Sequence, residues 1–118
     1  KAQGRVTRGL LGVRGFEALR PARARQLGVP EDKGGVYLPL PGEMLLPNAS
    51  SVEPGGPADL AGLRPGDVIT SIDGEAIRSE GDLAVAMIRH APGDEVDVEI
   101  YRDGKPQTVR VVLGDPGD

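Results

Sequence analysis

The cleanest alternation in the chain runs from Glu95 to Tyr101: Val96, Val98 and Ile100 share one face, Glu95, Asp97 and Glu99 the other. A period of two belongs to a half-buried strand. Asp103-Gly104 suits a tight hairpin turn, and Thr108 to Leu113 is predicted to pair back. Val68-Ile69-Thr70-Ser71-Ile72 is a short run between the turns Arg64-Pro65-Gly66-Asp67 and Asp73-Gly74, and reads as a buried strand. Leu10 to Phe16 and Gly35 to Leu38 are further strand candidates, and Ser50 to Glu53 is extended. Pro21 to Leu27 predicts a two-turn helix, with Pro21 at the first helical position and Gly28 as its stop. Pro57 to Ala61 predicts a short helix, between the Pro54-Gly55-Gly56 turn and Gly62. A third starts at Ser79, whose hydroxyl can cap a free amide while Asp82 reaches back to it, and runs to about His90 before Pro92-Gly93.

Five or six short strands interrupted by two or three short helices, closing on an antiparallel hairpin, give an α+β fold rather than a doubly wound sheet. Composition agrees. Gly (18) and Pro (11) make up about a quarter of 118 residues without a three-residue period, which excludes a long helical bundle. The length is that of one domain, burying roughly two thirds of its unfolded surface. With one Phe, two Tyr and no Trp, aliphatic side chains must build the core.

Charge is uneven. Residues 1–30 hold seven Lys or Arg against one Glu, whereas residues 31–118 hold seven against seventeen acidic groups. A basic arm without stacking aromatics or a nucleic-acid motif reads as a linker on an acidic domain, so no nucleic-acid partner is expected. No apolar run approaches the ~18 residues of a membrane span, and Lys1 to Arg8 lacks the apolar core of a signal peptide. Membrane contact by this chain is not expected.

Catalytic readings fail on residue types. Zero Cys and one His remove thiolate chemistry, Cys-based zinc sites and His-rich metal sites, so neither a metal nor a cofactor is expected. No serine lies in a strained, Gly-flanked turn, and His90 ends a helix, as a surface or groove-rim residue. Gly4, Gly9, Gly12 and Gly15 match no phosphate loop. No catalytic residue is assigned, and the chain is expected not to be an enzyme by itself.

The informative segment is Arg8-Gly9-Leu10-Leu11-Gly12-Val13. A glycine-bearing loop that runs into a strand can turn consecutive amides toward one point and hold a carboxylate. The strand then offers an edge to an extended peptide. An ordinary Gly-rich strand entry fits the segment equally well.

These residues, with Ser51-Val52-Glu53-Pro54-Gly55-Gly56-Pro57-Ala58, Ala61-Gly62-Leu63-Arg64-Pro65-Gly66-Asp67-Val68-Ile69, Ile72-Asp73-Gly74, Pro92-Gly93-Asp94 and Arg102-Asp103-Gly104, resemble a bacterial PDZ domain over most of residues 8 to 113. The opening Arg8-Gly9-Leu10-Leu11-Gly12-Val13 is similar to the junction between protease and PDZ domain in HtrA-type (Deg) serine proteases. PDZ domains of membrane metalloproteases and C-terminal processing proteases share the middle blocks, and a purely structural interaction module is the other competitor.

The resemblance implies a partly open five- to six-stranded β-barrel or sandwich capped by two or three short helices. It implies a linker over 1–7, the domain over 8–114 and a tail over 115–118. The function implied is capture of protein C-termini or unfolded apolar segments for an attached protease, in a periplasmic or extracytoplasmic setting, with room for a homo-oligomeric parent. The implied peptide site comprises Arg8, Leu10, Leu11, Gly12, Val13, Arg14 and Gly15 with Leu83 and Met87 of the third helix. The amides of Leu11, Gly12 and Val13 would face the carboxylate; Arg8 either assists it or belongs to solvated linker. Two departures stand out. Gly15 occupies a place where these domains often carry an apolar residue, and a Pro-rich insert, Pro39 to Asn48, splits the strand that follows. Its prolines forbid a central strand; its apolar side chains either fold onto the domain or make a contact surface.

Overall fold

The computed structural model describes residues 10–44 and 49–114. The strands are β1 (Glu17–Ala18), β2 (Val36–Tyr37), β3 (Val68–Ile72), β4 (Glu75–Ala76), β5 (Glu95–Arg102) and β6 (Lys105–Val112), and the helices α1 (Pro21–Leu27), α2 (Pro57–Ala61) and α3 (Glu80–Ile88). They form one open antiparallel sheet in the order β1-β2-β3-β5-β6, with β4 folded back on β3. The expected α+β fold, a partly open barrel or sandwich of five or six strands capped by two or three short helices, is met as an open sheet of six strands with three helices among the described residues. Predicted linker 1–7, tail 115–118 and the Leu45–Asn48 part of the insert lie outside the described residues.

The core follows the alternation. Val96, Val98 and Ile100 of β5 are buried against Val36, Leu38, Ile69, Ile72 and Val111, and α3 closes one side with Leu83, Ala86 and Met87. Every residue of β3 except Ser71 is buried, as a strand covered on both faces must be. A smaller cluster under α1 joins Ala24 and Val29 to Tyr37 and Val68. Asp73 and Asp103 adopt positive φ (49° and 56°) before Gly74 and Gly104, the backbone that tight hairpins demand.

Several boundaries moved. Leu10 to Phe16 is not one strand: it makes isolated bridges at Leu10 (to Gly114) and Val13 (to Val52), and regular pairing begins only at Glu17. Gly12 (φ +85°) and Gly15 (φ +66°) lie in the left-handed region and interrupt the extended chain. Extended Ser50–Glu53 contributes only the Val52 bridge. The third helix ends at Ile88 with Arg89 as its cap, short of His90. Ser79 Oγ does accept the Asp82 amide (3.1 Å), but Asp82 Oδ2 accepts the amide of Arg78, not that of Ser79.

The turn into β3 carries a nearly buried charge pair. Asp67 accepts the Arg64 amide (2.9 Å) and both Nε and Nη2 of Arg102 (2.9 and 2.7 Å), while Nη2 also donates to the Gly62 carbonyl (2.8 Å). That hydrogen bond to Asp67 raises the Arg102 pKa above its ordinary value, so the guanidinium stays charged.

Candidate functional site

The Leu10–Val13 segment is held on one side only. Arg14 N donates to Ser51 O (2.8 Å) and Glu53 N to Gly12 O (2.9 Å), and these two bonds flank the Val13–Val52 bridge. Val13 is therefore the non-hydrogen-bonded member of the pair, and its own N–H and C=O point to the opposite edge. Ala58 N takes Leu11 O (2.9 Å). Among the described residues, the amides of Leu11, Gly12 and Val13 donate to no acceptor within the chain. Such unsatisfied donors need a partner from outside.

Beneath them lies a cavity of about 180 Å³ lined by Leu10, Leu11, Gly12, Val13, Phe16, Leu83, Ala84 and Met87. Leu83 and Met87, one helical turn apart, are both nearly buried (3% and 8% exposed) and form its α3 wall. The 10–13 segment and α3 thus line one apolar cavity, and three residues of its wall carry unpaired amides.

Of the residues implied by sequence, Leu10, Leu11, Gly12, Val13, Leu83 and Met87 come together here. Arg8 lies outside the described residues. Arg14 does not line the cavity: it is exposed, and its Nε donates to Ser50 O (3.0 Å). Gly15 is absent from the lining too, and Phe16 takes part instead. Left-handed Gly15 breaks the strand's alternation, so Phe16 shares a wall with Val13 three residues before it. A glycine inside a strand pattern is the sequence signal for such an irregularity. His90 stays off the groove, its Nε2 3.9 Å from Asp73 Oδ2 and its Nδ1 3.7 Å from Asp94 Oδ2.

A larger hollow of about 670 Å³ opens between the end of α1, the 64–67 turn and the β5–β6 hairpin. Asp67 and Arg102, which line it, satisfy each other, and it offers no comparable row of open amides. Size does not make it the site.

The described part of the insert folds onto the domain. Ser51 Oγ donates to Pro39 O (2.8 Å), and Pro41–Glu43 forms one 3-10 turn. Glu43 Oε1 accepts the Tyr37 hydroxyl (2.6 Å) and the Leu40 amide (2.9 Å), while Oε2 lies 2.9 Å from Arg23 Nη1. The Arg23 guanidinium also stacks over the Tyr37 ring, 4.7 Å from its centroid. The Tyr37 hydrogen bond, aided by the Leu40 amide and Arg23, holds the Glu43 carboxyl down at about 2. Burial, reinforced by the bond to Glu43, pushes the Tyr37 hydroxyl up to about 12.

The signs fix a pH window. Glu43 is depressed on folding, so its contribution is complete above its ordinary value of 4.5 and is lost as pH falls toward 2. Tyr37 is raised, so its contribution is complete below 10 and is lost as pH climbs toward 12. Because the Glu43 side chain is 32% exposed, screening limits the carboxylate's share to about 1 kcal/mol. Thermal midpoints of the parent and Glu43→Gln should differ at pH 7 and converge near pH 2; a gap independent of pH would remove the carboxylate from the clamp.

Among the described residues, no group of three or more His, Cys, Asp or Glu could hold a metal ion, and no helix is long and apolar enough to cross a membrane.

Comparison with known proteins gives one consistent neighbourhood. The PDZ domain profile matches residues 21–113. A probable periplasmic serine endoprotease DegP-like of Marinomonas sp. is 32% identical over 113 residues, 96% of this chain but 21% of that protein. The serine protease Do-like HtrA of Lactococcus lactis subsp. lactis is 37% identical over 116 residues, 96% of this chain and 26% of that protein. Among solved structures, the HtrA-type protease AlgW with tripeptide superposes with a TM-score of 0.74 at 29% identity, covering 98% of this chain and 34% of that one. The chain thus spans about a fifth to a quarter of the curated relatives it matches.

Proposed function

The chain belongs to the PDZ domain family, and on that premise we propose that its groove captures the free carboxyl terminus of an extended peptide ending in an apolar residue. The reading rests above all on one coincidence: Leu11, Gly12 and Val13, whose amides are unpaired within the described chain, line the same apolar cavity as Leu83 and Met87. The amides would take the carboxylate, the cavity the terminal side chain, and the free edge at Val13 the ligand backbone. Leu10 and Phe16 widen the apolar wall. Arg14, exposed and next in the chain to Val13, adds positive charge beside the segment.

Similarity to HtrA-type proteases supports the larger setting. In it the domain follows a linker, delivers C-termini or unfolded apolar segments to an attached serine protease, and works in the periplasm or another extracytoplasmic space. The chain itself would recognise rather than cleave. No cofactor enters this reading.

Titration of a peptide and its C-terminally amidated twin tests it. Hydrogen bonds to a charged acceptor contribute about 1.5–3 kcal/mol each, net of competing hydration. An amide loses the charge and turns N–H donors toward N–H donors. The free acid should bind about tenfold or more tightly, a decade being about 1.4 kcal/mol, and should shift the amide resonances of residues 10–16. Equal affinities with no shifts there would reject the carboxylate nest.

A further inference from the structure

We propose that Met44 is a specificity-determining residue of the groove: from the insert it supplies, at Gly15, the apolar side chain that the peptide-binding segment lacks, and it selects a large apolar or aromatic ligand residue there. The inference rests on the peptide-binding reading above and adds a second subsite, separate from the terminal slot.

Three observations converge on it. Gly15 carries no side chain, yet a Cβ built on it would fall 2.6 Å from Met44 Cε and 3.8 Å from Sδ. The tip of Met44 thus stands where a residue-15 side chain would start. Met44 is also only partly buried, so it keeps surface that a ligand can cover. And the residue before it is anchored, the Glu43 carboxylate being tied to Tyr37, Arg23 and the Leu40 amide.

Register decides which ligand residue meets it. A carboxylate at the Leu11–Val13 amides starts an antiparallel strand whose last residue lies beside Val13. Two residues along this segment, Gly15 faces the third-from-last ligand residue. Directly paired residues send their side chains to the same face, about 4.5–5.5 Å apart at Cβ. The third-from-last side chain, or that of its upstream neighbour given the left-handed backbone at Gly15, therefore meets the Met44 tip. An unbranched thioether adapts to varied apolar shapes and makes favourable contacts with aromatic rings. Met44 takes no part in the cavity beneath the amides, so choice of the terminal residue should be independent of it.

The experiment uses the 118-residue chain and fluorescent peptides with a free carboxyl terminus and a constant terminal Val. Each of the three preceding positions is varied in turn among Phe, Leu, Ser and Gly. The parent should prefer Phe or Leu over Ser by about three- to tenfold at the third- or fourth-from-last position, the size of one partial apolar contact. Met44→Ser should flatten that preference. It should leave unchanged both the preference for a terminal Val over Ser and the preference for acid over amide. Met44→Leu should restore the aliphatic preference. Circular dichroism melts establish that each variant is folded. A parent without upstream preference, a preference that survives Met44→Ser, or a change at the terminal residue instead would overturn the assignment. If acid and amide bind the parent equally, the carboxylate reading fails and this subsite fails with it; if only the upstream preference is missing, Met44 alone is misassigned.

Discussion

Gly12→Val is expected to lower folding stability by roughly 2–4 kcal/mol and to weaken peptide binding more than about tenfold. Both effects come from one backbone position. Gly12 holds φ at +85°, where an ordinary L residue costs about 1–2 kcal/mol and a β-branched one more. A Cβ there would lie 3.0 Å from Pro57 Cδ and 3.4 Å from Pro57 N, and a rigid ring at the start of α2 offers no flexible end to swing aside. Relief must come from the 11–13 backbone, which is the part that aims the three open amides. The Gly12 carbonyl also accepts the Glu53 amide, so the displacement strains the Val13–Val52 bridge. Gly42→Ala is the control: no heavy atom lies within 4 Å of a Cβ there and its φ is ordinary, so stability should stay within about 0.5 kcal/mol. Urea unfolding and peptide titration of both variants measure the two effects. Parent-like affinity in Gly12→Val would mean that this backbone does not hold the ligand.

What the sequence made legible was whatever a short-range rule controls. The 95–101 alternation, the Asp-Gly turns and the Pro-to-Gly bounds of α1 and α2 depend on neighbours within a few residues, and each was found nearly where it was expected. The Leu10–Phe16 segment was misread because its apolar content matches a strand while its conformation is set by two left-handed glycines. Alternation carries no record of the sign of φ. β4, only two residues long, is too short to show a period, and only its pairing with Ser71 and Ile72 defines it.

The site divides in the same way. The proposed carboxylate loop was suggested by its glycine, but the α3 wall could not be separated from the core, because Leu83, Ala86 and Met87 occupy one helical stripe. The fold resolves this: Leu83 and Met87 belong to both the core and the cavity lining, whereas Ala86 belongs only to the core. Phe16 was missed because counting by twos from Val13 lands on Gly15. The Glu43–Tyr37–Arg23 clamp was invisible for another reason. Its members come from an insert, a strand and a helix, and only the tertiary fold brings their side chains together.

The same long-range logic governs the largest stability effect expected away from the groove. Asp67→Ala should cost about 3 kcal/mol or more, the range found when one partner of a buried ion pair is removed. Asp67 is 2% exposed and receives three hydrogen bonds, two of them from Arg102, which lies 35 positions away. Truncation leaves the guanidinium with the Gly62 carbonyl as its remaining partner and frees the Arg64 amide at the turn into β3. The Arg102 side chain is 19% exposed, so water can reach part of it, which favours the lower end of the range. Arg102→Met strands the opposite charge, a carboxylate left with one amide donor, and should cost a similar amount. The double variant removes both charges and should be more stable than the sum of the two losses by at least about 1 kcal/mol, the signature of direct coupling. Peptide affinity, measured well below the unfolding transition, should not change, because neither residue lines the groove. Additive single losses of less than about 1 kcal/mol each would mean that the pair behaves like an exposed surface bridge and does not fasten the β5–β6 hairpin to the turn before β3.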